Sequence, residues 1–221
     1  MKTSRCTLTA AAGLLIAALA ACGTSSGNSA PVTTPVAAQA PESQQPAKPN
    51  PYAFLPKVPS FTLTSATVKE GQPLPTAQLS GIFKVPGGTD TSPQLSWSGF
   101  PKDTKSFVVS MYDPEAPTGS GFTHWVVADI PATTTSLPTN AGVPNSGALP
   151  AGAFQLSDAG APRYIGGAPP AGSGLHEYYL TVTALDVPKS GVDATASPAL
   201  LGFTIGGHTI ARATLVCRTV A

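Results

Sequence analysis

Six stretches after the first sixty residues carry the hydrophobic pattern of β-strands. Residues 61–68 alternate between apolar and polar side chains. Residues 95–98 form a short Leu-Ser-Trp-Ser run ending at Gly99. Residues 106–112 and 124–130 are β-branched and apolar throughout, 176–185 is the clearest such run, and 209–219 reads as a final strand with room for a helical turn before it. Gly, Pro, Asn or Asp bound these runs, as expected of residues that break strands and close turns. Helical periodicity is nearly absent. The exception is 197–203, Ser-Pro-Ala-Leu-Leu-Gly-Phe, where Ser197 suits an N-cap and Pro198 the first helical position. Strands at this spacing predict a mostly β fold, an antiparallel sandwich or Greek-key sheet. The Gly/Pro-rich stretch 139–173 is longer than most loops, and such loops commonly carry function.

The N-terminal pattern is of another kind. Lys2 and Arg5 precede an apolar, small-residue run over 10–21, which is far shorter than the roughly 20 residues that span a bilayer. It fits the h-region of a signal peptide. The run ends in Leu19-Ala20-Ala21-Cys22-Gly23, a lipobox in which the cysteine is lipidated and becomes the new N-terminus. An ordinary secretory signal with an incidental Cys22 is the weaker reading, because cysteine is scarce here and this one stands where a lipobox requires it. Residues 23–50 hold no aromatic residue, one Glu and one Lys. With so little apolar surface to bury, they cannot offset their conformational entropy and read as a disordered Pro/Ser/Ala-rich spacer. The expected organisation is a signal peptide over 1–21, a tether with lipidated Cys22 over 22–51, and one folded domain over 52–221.

Charge and cysteine content narrow the function classes. Removing residues 1–21 takes Lys2 and Arg5, leaving 10 basic against 11 acidic residues with no charged block. That argues against a nucleic-acid partner, and it assigns membrane association to the lipid on Cys22 at the extracytoplasmic face. Of the three cysteines, Cys6 leaves with the leader and Cys22 takes the lipid. Cys217 remains alone in an apolar run, where it reads as a small buried hydrophobe.

Candidate chemistry gathers at strand ends. His124 and His176 each open a long apolar run directly after a Gly-rich turn, and Asp113-Pro114-Glu115-Ala116-Pro117 closes another. Groups at strand ends beside loops lie at a sheet rim, where ligand sites collect. The prolines restrict the backbone around the two carboxylates. An Asp beside a His favours the imidazolium, which can then receive an anion.

Four motifs in register resemble the phosphatidylethanolamine-binding protein family, also known as Raf kinase inhibitor proteins, and its bacterial branch in particular. They are Ser92-Pro93-Gln94-Leu95-Ser96-Trp97, then Asp113-Pro114-Glu115-Ala116-Pro117, then Gly121-Phe122-Thr123-His124-Trp125. The fourth is Gly166-Gly167-Ala168-Pro169-Pro170 followed by Gly174-Leu175-His176-Glu177-Tyr178. The resemblance runs over about residues 60–220. It implies a large central antiparallel sheet, a smaller second sheet and one or two short helices. It also implies an anion site lined by Asp113, Glu115, Pro117, His124, His176 and Tyr178, taking phosphate- or carboxylate-bearing groups such as phospholipid head groups. In that site His124 and His176 would donate N–H bonds, Tyr178 an O–H bond, and Asp113 would orient a histidine. Four positions depart from the family pattern. Glu115 stands for Asp, Phe122 for Trp, Glu177 for Arg, and Gly167-Ala168 for Gly-Pro.

Three functions follow as expectations. The first is a binding module for a small anionic ligand, without catalytic activity, cofactor or metal. The second is an inhibitor or regulator of an extracytoplasmic protein partner, such as a protease or a kinase sensor. The third is a hydrolase using Asp113, His124 and His176. The expected domain over 52–221 contains no G-x-S-x-G nucleophile elbow, the one match (Gly23–Gly27) falling in the spacer, and no recognised metal-ligand spacing, which favours the binding module.

Overall fold

The computed structural model describes residues 50–221, and the expected signal peptide, Cys22 and nearly all of the expected tether lie outside them. Eight strands form two antiparallel sheets. In chain order they are β1 (Thr62–Thr64), β2 (Leu95–Ser98), β3 (Ser106–Asp113), β4 (Phe122–Pro131), β5 (Ser136–Leu137), β6 (Phe154–Leu156), β7 (Leu175–Leu185) and β8 (Thr209–Val220). One helix, α1 (Pro198–Ile205), precedes β8. The small sheet has the order β1-β2-β5 and the large one β6-β4-β3-β7-β8. This is the expected mostly β architecture, with a large central sheet, a smaller second sheet and one short helix.

Three elements differ in detail from the pattern. The run 61–68 pairs only over Thr62–Thr64, because the Ser65 hydroxyl accepts from the backbone N–H groups of Thr67 and Val68 and donates to the Gln94 carbonyl. A serine that satisfies the backbone locally competes with the sheet ladder and ends the strand. Within 139–173, Phe154–Leu156 adds an edge strand along β4, so the long loop is divided. The helix runs two residues beyond the predicted 197–203, with the Ser197 hydroxyl accepting from Leu200 N–H at 3.1 Å and Pro198 in the first turn.

Strand alternation gives the large sheet two apolar faces. Phe107, Val109 and Met111 of β3 pack with Trp125, Val127, Leu180 and Val182 against Leu95, Trp97 and Leu137 of the small sheet. Val108, Val126, Ala128 and Leu185 face the other way and pack under Leu201 and Ile205 of α1. The core between the sheets contains the largest buried side chains, which stiffens the strand ends that emerge from it. Cys217 lies buried in that core and its thiol is pushed up to about 12, chiefly by burial, which suits an inert hydrophobe.

Candidate functional site

Asp113 is the last residue of β3, and His176 and Tyr178 stand near the start of the neighbouring antiparallel β7. Antiparallel pairing therefore brings a strand end and a strand start to the same rim. His176 and Tyr178 are two residues apart and share a face, the one turned toward the small sheet. The fourth member arrives through an irregularity. Met111 pairs with Trp125 and Tyr112 with Thr123, so His124 is an extra residue in β4. A bulge of this kind re-aims a side chain. It turns the His124 ring toward Tyr178, with ring centroids 5.4 Å apart.

Asp113, His124, His176 and Tyr178 are all buried. Asp113 Oδ2 accepts from His176 Nδ1 at 2.7 Å, while its Oδ1 accepts from Glu115 N–H at 2.8 Å. The other nitrogen of His176, Nε2, lies 2.8 Å from Ser173 Oγ, and that hydroxyl donates to the Pro170 carbonyl at 2.6 Å. Both ring nitrogens of His176 therefore stand within hydrogen-bond distance of protein groups. His176 is thus fully engaged by protein groups. It lines the buried group together with Asp113, His124 and Tyr178.

His124 is different. Its Nδ1 donates to the Ile165 carbonyl at 3.1 Å. Its Nε2 is buried and has no hydrogen-bond partner among the described residues, and the same is true of the Tyr178 hydroxyl. Burial pushes the His124 imidazole below its ordinary value, opposed by the negative charges of Asp113 and Asp158 and by the Ile165 and Gly166 backbone. Burial and the charges of Asp113 and Glu115 push the Tyr178 hydroxyl well up, against a smaller effect of the Ala168 backbone, so it stays protonated and can donate.

The two glycines of the fourth sequence motif are explained by close approach. Gly166 N–H donates to Asp90 Oδ1 at 2.8 Å, and a Cβ there would collide with the Leu79 carbonyl. A Cβ on Gly167 would meet Leu74 Cδ1 at 2.7 Å and the Tyr178 hydroxyl at 3.1 Å. Only glycine lets this segment bring the Ile165 carbonyl to His124. Glu115 uses its carboxylate to accept from Glu177 N–H at 2.8 Å, bracing the β3 turn against β7. Glu177 in turn accepts from Arg218 Nε at 2.7 Å and from the Tyr179 hydroxyl at 2.8 Å. Pro117 is exposed on the turn, outside the buried group.

Sequence reasoning did not single out Ser173, Ile165, Asp90 or Phe83. Ser173 sits in the Gly172-Ser173-Gly174 turn already noted before His176, but nothing in the sequence shows a hydroxyl reaching back to the ring. Phe83 packs edge-on against Phe122 at 6.2 Å, and Phe122 against His124 at 4.9 Å, which makes an aromatic rim. Among the described residues, no group of three His, Cys, Asp or Glu is placed to hold a metal ion, and no helix is long and apolar enough to cross a membrane.

The family model described as phosphatidylethanolamine-binding protein matches residues 64–220, which contain the whole large sheet, all of the small sheet but the start of β1, and every residue of the buried group. The chain belongs to the phosphatidylethanolamine-binding protein family. It is 44% identical over 161 residues to the Escherichia coli protein YbcL, covering 72% of this chain and 87% of that one. It is likewise 44% identical over 158 residues to Escherichia coli YbhB, covering 69% of this chain and 96% of the relative. The crystal structure of Escherichia coli YbcL, described as a new member of the mammalian family, superposes with a TM-score of 0.68 at 41% identity over 72% of this chain and 97% of that one. LppC of Mycobacterium tuberculosis, a predicted lipoprotein, is 30% identical over 203 residues. That match covers 86% of this chain and 87% of LppC, a larger share of this chain than residues 50–221 and so one reaching into the residues before them.

Proposed function

We propose that this family member is a lipid-anchored, extracytoplasmic binding protein whose His124–Tyr178 site takes a small oxyanion, phosphate- or carboxylate-bearing, such as a phospholipid head group. The observation that carries the reading is the pair of buried, unpartnered polar atoms, His124 Nε2 and Tyr178 Oη, on neighbouring rings. An unsatisfied buried polar atom costs about 1–3 kcal/mol, and two on adjacent side chains mark a place where a ligand supplies the missing bonds. The aromatic rim of Phe122 and Phe83 would cover an apolar substituent on that ligand.

The tautomer sets a condition on binding. A carbonyl only accepts, so the Nδ1 hydrogen of His124 belongs to Ile165, and in the neutral ring Nε2 is a bare acceptor. An oxyanion therefore needs one more proton, carried either by His124 or by the ligand, as in hydrogen phosphate. Asp113 and Glu115 add negative charge nearby, so a fully ionised dianion is disfavoured without that proton.

Ser173, His176 and Asp113 stand in hydrogen-bonded series, the order found in serine hydrolases. The Pro170 carbonyl competes for the serine hydrogen that a nucleophile would need to pass to Nε2. That favours binding over catalysis.

Isothermal titration with inorganic phosphate and O-phosphoethanolamine tests the site. Saturable heat that disappears in His124→Ala and Tyr178→Phe is expected. No heat at any pH from 5 to 8 with an intact fold rejects the proposed ligand class. Mass spectrometry of the mature N-terminus tests the anchor, with acylated Cys22 as the expected product.

A further inference from the structure

The other face of the large sheet holds a cavity of about 330 Å³, separate from the histidine site. Val108 and Val126 of the sheet, Leu201 and Ile205 of α1, and Leu55 and Pro56 of the N-terminal segment line it. Residues beside these lining groups expose apolar side chains. α1 is apolar on all sides, with Leu200 50% and Phe203 85% exposed, although a helix of that composition is ordinarily buried all round. In the N-terminal segment Phe54 is 93% exposed and the lining residue Leu55 43%. Exposed apolar groups gathered around one opening mark an interaction surface.

The position of the tether indicates the partner. Pro51, Tyr52 and Leu55 line this cavity, so the chain that leads back to Cys22 enters the domain at the same face. Fully extended, the residues from Cys22 to Asn50 reach at most roughly 100 Å. A domain held that close to a bilayer meets it continually, and even weak apolar contacts become effective under such tethering.

From this placement we infer that the face formed by Phe54, Leu55, Leu200 and Phe203 docks on the bilayer that carries the Cys22 lipid, in the manner of an interfacial apolar surface. The inference rests on the lipid-anchor reading.

The test uses the mature chain, residues 22–221, coupled through Cys22 to a maleimide lipid in phosphatidylethanolamine/phosphatidylglycerol vesicles. Coupling is selective because Cys217 is buried and its thiol is pushed up to about 12. The synthetic anchor makes the result independent of natural acylation, so a failure of the lipoprotein reading appears only in the mass spectrum. Trp97 and Trp125 are buried in the core, and the additional indole in Phe203→Trp reports on the face alone. The expected result is a blue-shifted emission from that introduced indole, at least halved by lipids brominated on their acyl chains. Adding Phe54→Ser and Leu200→Ser should reverse most of that quenching without loss of the folded near-ultraviolet dichroism. Emission from the introduced indole that stays water-like and unquenched overturns the inference. So does a blue shift that appears in solution and scales with protein concentration, which would assign the face to a second copy of the chain.

Discussion

The carboxylate of Asp113 and the imidazole of His176, 63 residues apart in sequence, meet at 2.7 Å with neither side chain more than 3% exposed. The pair closes the rim between β3 and β7 beside His124 and Tyr178. Removing one member leaves the other buried without its partner, and the cost exceeds what the intact pair contributes. Asp113→Ala is expected to destabilise the domain by roughly 3–5 kcal/mol, read from urea denaturation, and to abolish phosphate binding. If Asp113→Ala unfolds the domain, the milder His176→Gln should still fold and show weakened binding.

His124 predicts the acid side of the stability curve. Its imidazole is held below the ordinary value of about 6.5, mainly by burial. Between the lowered value and 6.5, the unfolded chain binds a proton that the folded chain does not. Stability contributed by this residue is therefore present above pH 6.5 and is lost as pH falls through that window. In His124→Gln that part of the slope should vanish. Binding should run the opposite way, since a bound oxyanion favours the protonated ring. Phosphate should bind more tightly toward pH 5.5, and titrations in buffers of different ionisation enthalpy should show proton uptake.

Gly166 predicts a coupling between packing and affinity. A methyl group at this position would run into the Leu79 carbonyl, backbone against backbone, where no side chain can yield. Gly166→Ala is expected to cost roughly 1–3 kcal/mol in a denaturation midpoint. Because the shift displaces the adjacent Ile165 carbonyl that fixes His124, affinity for phosphate should also fall.

Ser197 is the corresponding control on the far face. Its hydroxyl caps α1 through Leu200 N–H. Ser197→Ala should lower stability by about 1 kcal/mol and the melting temperature by roughly 2–4 °C, with phosphate binding unchanged.

Much of the fold was legible before any coordinates. The apolar runs 106–112, 124–130 and 176–185 became β3, β4 and β7, because strands buried on both faces read as continuous apolar, β-branched segments. Ser197 and Pro198 marked the helix start for local reasons of backbone hydrogen bonding. The edge strand Phe154–Leu156 was not legible, since its three residues are held in extended form only by β4. The shortening of 61–68 to Thr62–Thr64 depended on a serine whose partner, the Gln94 carbonyl, is 29 residues away.

The sequence by itself determined the strand-rich class, the capped helix, the lipobox and spacer pattern, and the residue types around the rim, because each rests on local composition or on motifs read in order. The tertiary structure alone decided what those residues do. Pairing of β3 with β7 committed both nitrogens of His176 to Asp113 and Ser173, and a bulge in β4 turned His124 toward Tyr178 with Nε2 left bare. Those outcomes follow from long-range register and from which buried atoms find partners, and no local pattern encodes either.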